Sequence, residues 1–345
     1  MAQLHIVMSD LLGSWPAPQL KAASAGLDVS LLERVLSRAV CHEISGPPAH
    51  LPLLTRLFDW PADQDVPVAA LTSLIDRPGH KAAYTLRADP VHLKADRDRV
   101  VLYRARDLAV TDTEAQQLVT DINTQLAEPG WQLSADHPSR WYVDVVAPPE
   151  GLITQPPDAA LGQDIFPCQP SGASGGLWRR RINEIQMLLH EHPLNVARAA
   201  HGQHEINSLW LWGGGVLPES APRLAWHQVF TADPLAAGLA RCCNIRLIDQ
   251  AMTAEQLLSH LQPGAPQLLI IERGPEAIAL GDGVSWRQRL EQWTNDWLSP
   301  LLKAMTHGEI EELILYPGNG RSYQLTRWRW RLGWRPRPLA GFAAG

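Results

Sequence analysis

Between residues 246 and 316, short apolar runs alternate with amphipathic stretches of helical period, and this pattern constrains the fold most. Residues 246–248, 267–272 and 312–316 read as strands, and 254–261 and 286–305 as helices. A strand that returns through a helix lies parallel to its predecessor, so the pattern predicts an α/β core: a mainly parallel sheet with helices on both faces. Residues 4–8 add an apolar strand ending at Ser9 and Asp10. Residues 28–40 carry apolar positions at helical spacing, with Asp28 or Ser30 placed to cap the helix. The Pro-rich stretch 43–67 reads as irregular, and 68–74 as strand or helix.

The texture changes near residue 80. Alternating residues with polar turns predict antiparallel strands up to about 104, an amphipathic helix covers 112–127, and 131–146 reads as two strands around an Asp-His-Pro-Ser turn. This is an inserted, smaller α+β domain. The expected bounds are 1–80 for the first part of the core, 81–200 for the insertion, and 201–345 for the second part of the core with a basic Trp/Arg tail. Residues 147–176 read as loop, 177–192 as helix, and 209–212 as a strand entering Gly213, Gly214 and Gly215.

Composition narrows the function classes. With 45% hydrophobic residues the chain is not a disordered one, and a net charge of −6 confines any nucleic-acid or anionic-membrane binding to a local patch. Cys41, Cys168, Cys242 and Cys243 form no C-x-x-C pair and read as reduced, buried thiols. The first residues show no basic leader or cleavage site, and no window approaches the roughly 18 apolar residues of a membrane span, so a cytoplasmic protein is expected.

Four local features carry candidate chemistry. His190, His192, His201 and His204 fall within fifteen residues, as a metal group or as a loop-facing cluster. Trp212 to Gly215 ends a strand where glycines either admit a phosphate to backbone N–H groups or form a tight turn; no Lys-Ser follows, so it is no P-loop. Trp178 to Arg181 opens a helix as a solvated face or a phosphate contact. The stretch 321–337 holds six arginines and no acid. As a final edge strand it would set Trp328 and Trp330 on one face and Arg327, Arg329 and Arg331 on the other, with Trp334 beyond. That surface suits an acidic protein partner, or single-stranded nucleic acid through Arg–aromatic interleaving.

The segment 183–215, NEIQMLLHEHPLNVARAAHGQHEINSLWLWGGG, resembles the archaeal-type cofactor-independent phosphoglycerate mutases of the alkaline phosphatase superfamily. Their His-Pro-x-Asn-x-x-Arg, Gly and Asn-x-x-Trp-x-Trp-Gly-x-Gly pattern falls here on His192, Pro193, Asn195, Arg198, Gly202, Asn207, Trp210, Trp212, Gly213 and Gly215. A weaker echo, Leu161 to Ile165, has Gln163 where the family carries His. The resemblance implies an alkaline-phosphatase-like core with an inserted domain, two divalent metals such as Mn or Zn, and phosphoryl transfer through a Ser nucleophile. It also makes Asn195, Arg198, Asn207, Trp212, Gly213 and Gly215 candidates for binding a phosphorylated small molecule.

The metal set departs from that family. Its first strand ends in Asp-Gly, whereas here Ser9-Asp10-Leu11 follows. Its Asp-Glu-x-x-His is replaced by a run with Glu276 and Asp282 but no His, and its Asp-His by LILYPGNGRSY. A two-metal centre needs converging carboxylates and imidazoles. The expectation is therefore a divergent bacterial, regulatory-like member: no catalytic residue, no metal, no cofactor, and a regulatory or protein-interaction role. The alternatives are an active phosphomutase or phosphatase with two metals on rearranged ligands (Asp10, Asp282, His190, His192, His204), or a nucleic-acid-associated module using the tail.

Overall fold

The structure, a computed structural model, describes residues 1–13, 15–62, 64–96, 99–126, 129–220, 222, 224–248, 253–271, 283–333 and 335–343. Glu276, Asp282 and Trp334 therefore lie outside the described residues. The chain divides into two compact units, Met1–Pro61 with Ser220–Gly345, and Ala62–Glu219.

The first unit is built on a seven-stranded sheet in the order Arg246–Ile248, Gln228–Thr231, Pro266–Ile270, Ala2–Val7, Ile310–Tyr316, Arg321–Thr326 and Val40–Glu43. The first five run parallel, and the last two join antiparallel. Because successive side chains alternate between faces, Leu4 and Ile6 point to one side with Leu269, Leu313 and Leu315. There they pack on helices Ala17–Ala23, Ser30–Arg38, Gly283–Trp293 and Ser299–His307 through Leu20, Leu36, Trp286 and Leu302. On the other side His5 meets Trp226. The helix Pro234–Cys242 packs on the two outer parallel strands and buries Leu235, Ala236 and Leu239. The mixed α/β class with a mainly parallel sheet is as expected.

Some local expectations change. The Ser30–Arg38 helix is not capped by Ser30; Val29 holds the cap position and Asp28 accepts from the Ser30 N–H. A helix, His50–Leu57, forms inside the stretch read as irregular. Pro52 sits in its first turn, where a helix leaves N–H groups unsatisfied anyway.

The second unit is an antiparallel sheet. Tyr84–Asp96 is its long central strand, flanked by Arg99–Tyr103, Arg140–Val145 and Ser208–Gly215, with Trp131–His137 outside Arg140–Val145. Helices Asp112–Leu126, Gly175–His190 and Pro193–Ala200 close an apolar core over Leu86, Leu133, Trp141, Val143 and Leu209. Helix Val68–Asp76 packs on Tyr84–Asp96 and Ser208–Gly215. These two contacts carry the unit beyond 81–200 on both sides: the helix precedes it, and the strand past residue 200 pairs with Tyr84–Asp96, Leu211 opposite Ala88 and Trp210 opposite Asp89.

Candidate functional site

Asn195 and Arg198 project from Pro193–Ala200, a helix whose cap is His192. The His192 imidazole accepts from the Leu194 N–H at 3.2 Å and meets Asp121 at 3.0 Å through its other nitrogen. Asn195 is 1% exposed. Its amide donates to the carbonyls of Leu189 (2.8 Å) and Ile206 (2.9 Å) and accepts from the Ile206 N–H (2.8 Å). Arg198, 2% exposed, donates from all three nitrogens, to the carbonyls of His204 and Leu108 and to Glu114 at 2.8 Å. Burial pulls the Glu114 carboxyl upward, but hydrogen bonds from Thr111 and Arg198 hold its pKa below the ordinary carboxylate value. Asn207 pairs both ways with the Leu93 backbone, at 2.8 and 2.9 Å. These side chains brace loops and strands of their own unit.

Trp212 donates its indole N–H to Asp89 at 2.8 Å, and Arg87 donates to the other oxygen of that carboxylate. Burial pushes the Asp89 pKa up, against the pull of Arg87 and Trp212. Gly213 and Gly215 after Trp212 are explained by helix packing, and a Cβ on Gly214 would meet the Tyr84 ring. A Cβ on Gly213, whose φ is +61°, would lie 2.8 Å from Val68 Cβ, and one on Gly215 would lie 2.4 Å from Pro67 Cβ. Only glycine lets the strand approach the start of the Val68–Asp76 helix so closely.

The four histidines do not converge. His192 caps a helix, His201 meets the Ala197 carbonyl, and His204 stacks on His92 and lies tilted beside Tyr103, while His190 is exposed. Among the described residues no three His, Cys, Asp or Glu side chains are grouped to hold a metal. Trp178 is buried beneath the Arg181 guanidinium, and Arg180 pairs with Glu184. A cavity of about 1020 Å³ in this unit is lined by Arg179, Asn183, Gln186 and His190, which share one face of their helix. Of the residues expected to bind a phosphorylated small molecule, only Asn207 reaches its wall.

The tail differs from the expected edge strand. Arg321–Thr326 is an interior strand, and Thr326 then caps a helical turn, Arg327–Arg331, by accepting from the Arg329 N–H at 3.3 Å. A helix separates residues two apart by about 200°. Trp328 is accordingly 67% exposed, while Trp330 packs beneath Arg34 and Arg38 and donates to Thr306. Arg329 donates to the Arg38 carbonyl and Arg327 to the Thr306 carbonyl, which leaves Trp328 and Arg331 as the exposed pair.

The first unit holds a constellation that sequence reasoning did not assemble. Val7, Ile270 and Thr231 lie in one register row of the parallel strands. Two residues beyond that row on their strands stand Ser9 and Asp233, so both occupy the carboxyl edge, where open α/β sheets place their sites. His50, the first residue of its helix and 7% exposed, bridges them. Its Nδ1 is 2.8 Å from Ser9 Oγ and its Nε2 is 3.1 Å from Asp233 Oδ2. The second oxygen of Asp233 accepts from the Ala236 N–H at 2.8 Å as a helix cap, and its own N–H donates to Thr231 Oγ1. Gly318 passes under Ser9 so closely that a Cβ there would meet the Ser9 carbonyl oxygen. Asp10, the one acid kept at the end of the first strand, pairs with Arg289 at 3.0 Å. Asp233-Pro234 after an apolar run is a readable helix start at a strand end; His50 carried no such signal.

No family model matches the chain. It is 25% identical over 141 residues to the 2,3-bisphosphoglycerate-independent phosphoglycerate mutase of Methanosarcina barkeri, across 40% of this chain and 35% of that one. It is 31% identical over 106 residues to a probable enzyme of the same name from Geobacter sulfurreducens, across 28% of this chain and 26% of that one. The chain thus spans about a third or less of the length of these relatives. Among solved structures, the PH0037 protein of Pyrococcus horikoshii shares the fold, with a TM-score of 0.56 at 14% identity over 91% of this chain and 81% of that one. The chain is similar to cofactor-independent phosphoglycerate mutases at low identity. No helix among the described residues is long and apolar enough to cross a membrane.

Proposed function

We propose that this chain is a divergent phosphoglycerate mutase-like protein that does not run two-metal phosphoryl transfer and acts in regulation or through a protein partner. The observation that carries the reading is the Asp10–Arg289 ion pair. A divalent metal at the carboxyl end of the first strand needs a carboxylate to bind it, and a guanidinium holds that carboxylate here. Asp233, at the end of the next strand but one, is likewise engaged by His50 and by its own helix. The exposed Trp328 beside Arg331 offers an aromatic and basic contact for an acidic partner.

The test is to incubate the purified chain with Mn²⁺ and Zn²⁺, desalt it, count bound metal by elemental analysis and assay interconversion of 2- and 3-phosphoglycerate. No stoichiometric metal and no turnover are expected. About two metals per chain with turnover would establish the enzyme instead.

A further inference from the structure

Ser9, His50 and Asp233 form an unbroken donor–acceptor chain that a scaffold role does not require. Its polarity is fixed by chemistry. A carboxylate can only accept, so the His50 nitrogen facing Asp233 carries a proton, and in the neutral imidazole the nitrogen facing Ser9 presents a lone pair. Ser9 is then the donor, aimed at a base. The exposure pattern fits: Ser9 is partly exposed, while His50 and Asp233 are buried behind it. Asp233 is held by Ala236 and Thr231, so the imidazole is oriented by a carboxylate that is itself fixed. Two helices, His50–Leu57 and Pro234–Cys242, begin at this edge. Their N-terminal ends favour negative charge developing beside Ser9.

We propose that Ser9 is a nucleophile, His50 its general base and Asp233 the residue that positions His50, and that this edge of the first unit takes acyl groups from carboxylic esters. The Ser9 oxygen bonds to the acyl carbon as its proton passes to His50. The ester C–O bond breaks, and the leaving alcohol takes that proton. Water, deprotonated by His50, then attacks the acyl-serine. The carboxylic acid leaves, and Ser9 recovers its proton. This goes beyond the reading above and does not depend on it, because mutase turnover and serine reactivity are measured separately.

The experiment is to treat the full chain with a fluorophosphonate probe and locate the adduct by peptide mass analysis. The expected result is an adduct on Ser9 of the folded protein that does not form in urea, together with a burst of p-nitrophenolate from p-nitrophenyl acetate that Ser9→Ala abolishes. His50→Gln and Asp233→Asn are expected to slow labelling by about a hundredfold or more. Absence of a Ser9 adduct in the folded wild type overturns the proposal, as does labelling that His50→Gln leaves unchanged. If the His50 or Asp233 variants do not fold, the comparison of folded with urea-unfolded wild type still decides.

Discussion

His5 lies in the central strand of the seven-stranded sheet, edge-on to Trp226 and 2.9 Å from the Tyr316 hydroxyl. Burial lowers its pKa from 6.5 to about 4, against a smaller upward pull from Glu312. The folded state therefore refuses a proton that the unfolded chain takes. The resulting stability is present above pH 6.5 and is lost as pH falls toward about 4. Its size is on the order of 3 kcal/mol. Urea denaturation of His5→Gln should show a markedly flatter loss of stability across that window than wild type. A residual slope is expected from His92 and His137, whose pKa values are also lowered by burial. An unchanged slope would mean that His5 is not the group responsible. At the same scale, Arg198 joins Glu114, Leu108 and His204 through three nitrogens. Arg198→Ala should destabilise by about 3 kcal/mol, since it removes a buried side chain and leaves the Leu108 and His204 carbonyls without their donor. Arg198→Lys should not restore it, because one ammonium cannot reach three diverging acceptors; full rescue by lysine in a thermal melt would refute this. Arg198 and Asn195 were legible as important donors and not as braces, because residue type does not say whether the acceptor is a phosphate or a distant carbonyl.

Elements were legible where period and length agreed. Residues 112–127 and 177–192 appear as helices Asp112–Leu126 and Gly175–His190, and the apolar runs of the core appear as strands. The stretch 327–331 was not, because alternating Arg and Trp satisfies a strand pattern while Thr326, a helix cap, is read only from its neighbours' backbone. An extended chain would treat Trp328 and Trp330 alike; a helical turn does not. Trp330→Ala should destabilise by roughly 2 kcal/mol through lost packing against Arg34 and Arg38. Trp328→Ala should change stability by less than about 0.5 kcal/mol. Equal effects in denaturant titration would return the strand. The glycines at 213–215 show the same limit. Their number was visible, but the partners that crowd them, Val68, Tyr84 and Pro67, lie far away in sequence.

At the scale of the whole molecule, the α/β class and the presence of an inserted unit were legible, because parallel and antiparallel sheets impose different alternation on their strands. The unit bounds depend on one helix and one strand whose allegiance is decided by pairing with Tyr84–Asp96. The candidate site was hidden for a related reason. Ser9, His50 and Asp233 come from three separated stretches, joined only once parallel register brings two strand ends to one edge.

That register also orders events during synthesis. The strand Ala2–Val7 emerges more than two hundred residues before either of its neighbours, Pro266–Ile270 and Ile310–Tyr316. Everything that pairs Tyr84–Asp96 lies between them and is complete by residue 215. On a ribosome the inserted unit can close while the opening strand still waits with Leu4, Ile6 and Val7 uncovered. Ala2–Val7 thus stays in need of a chaperone's shelter long after the strands of the inserted unit have found their partners.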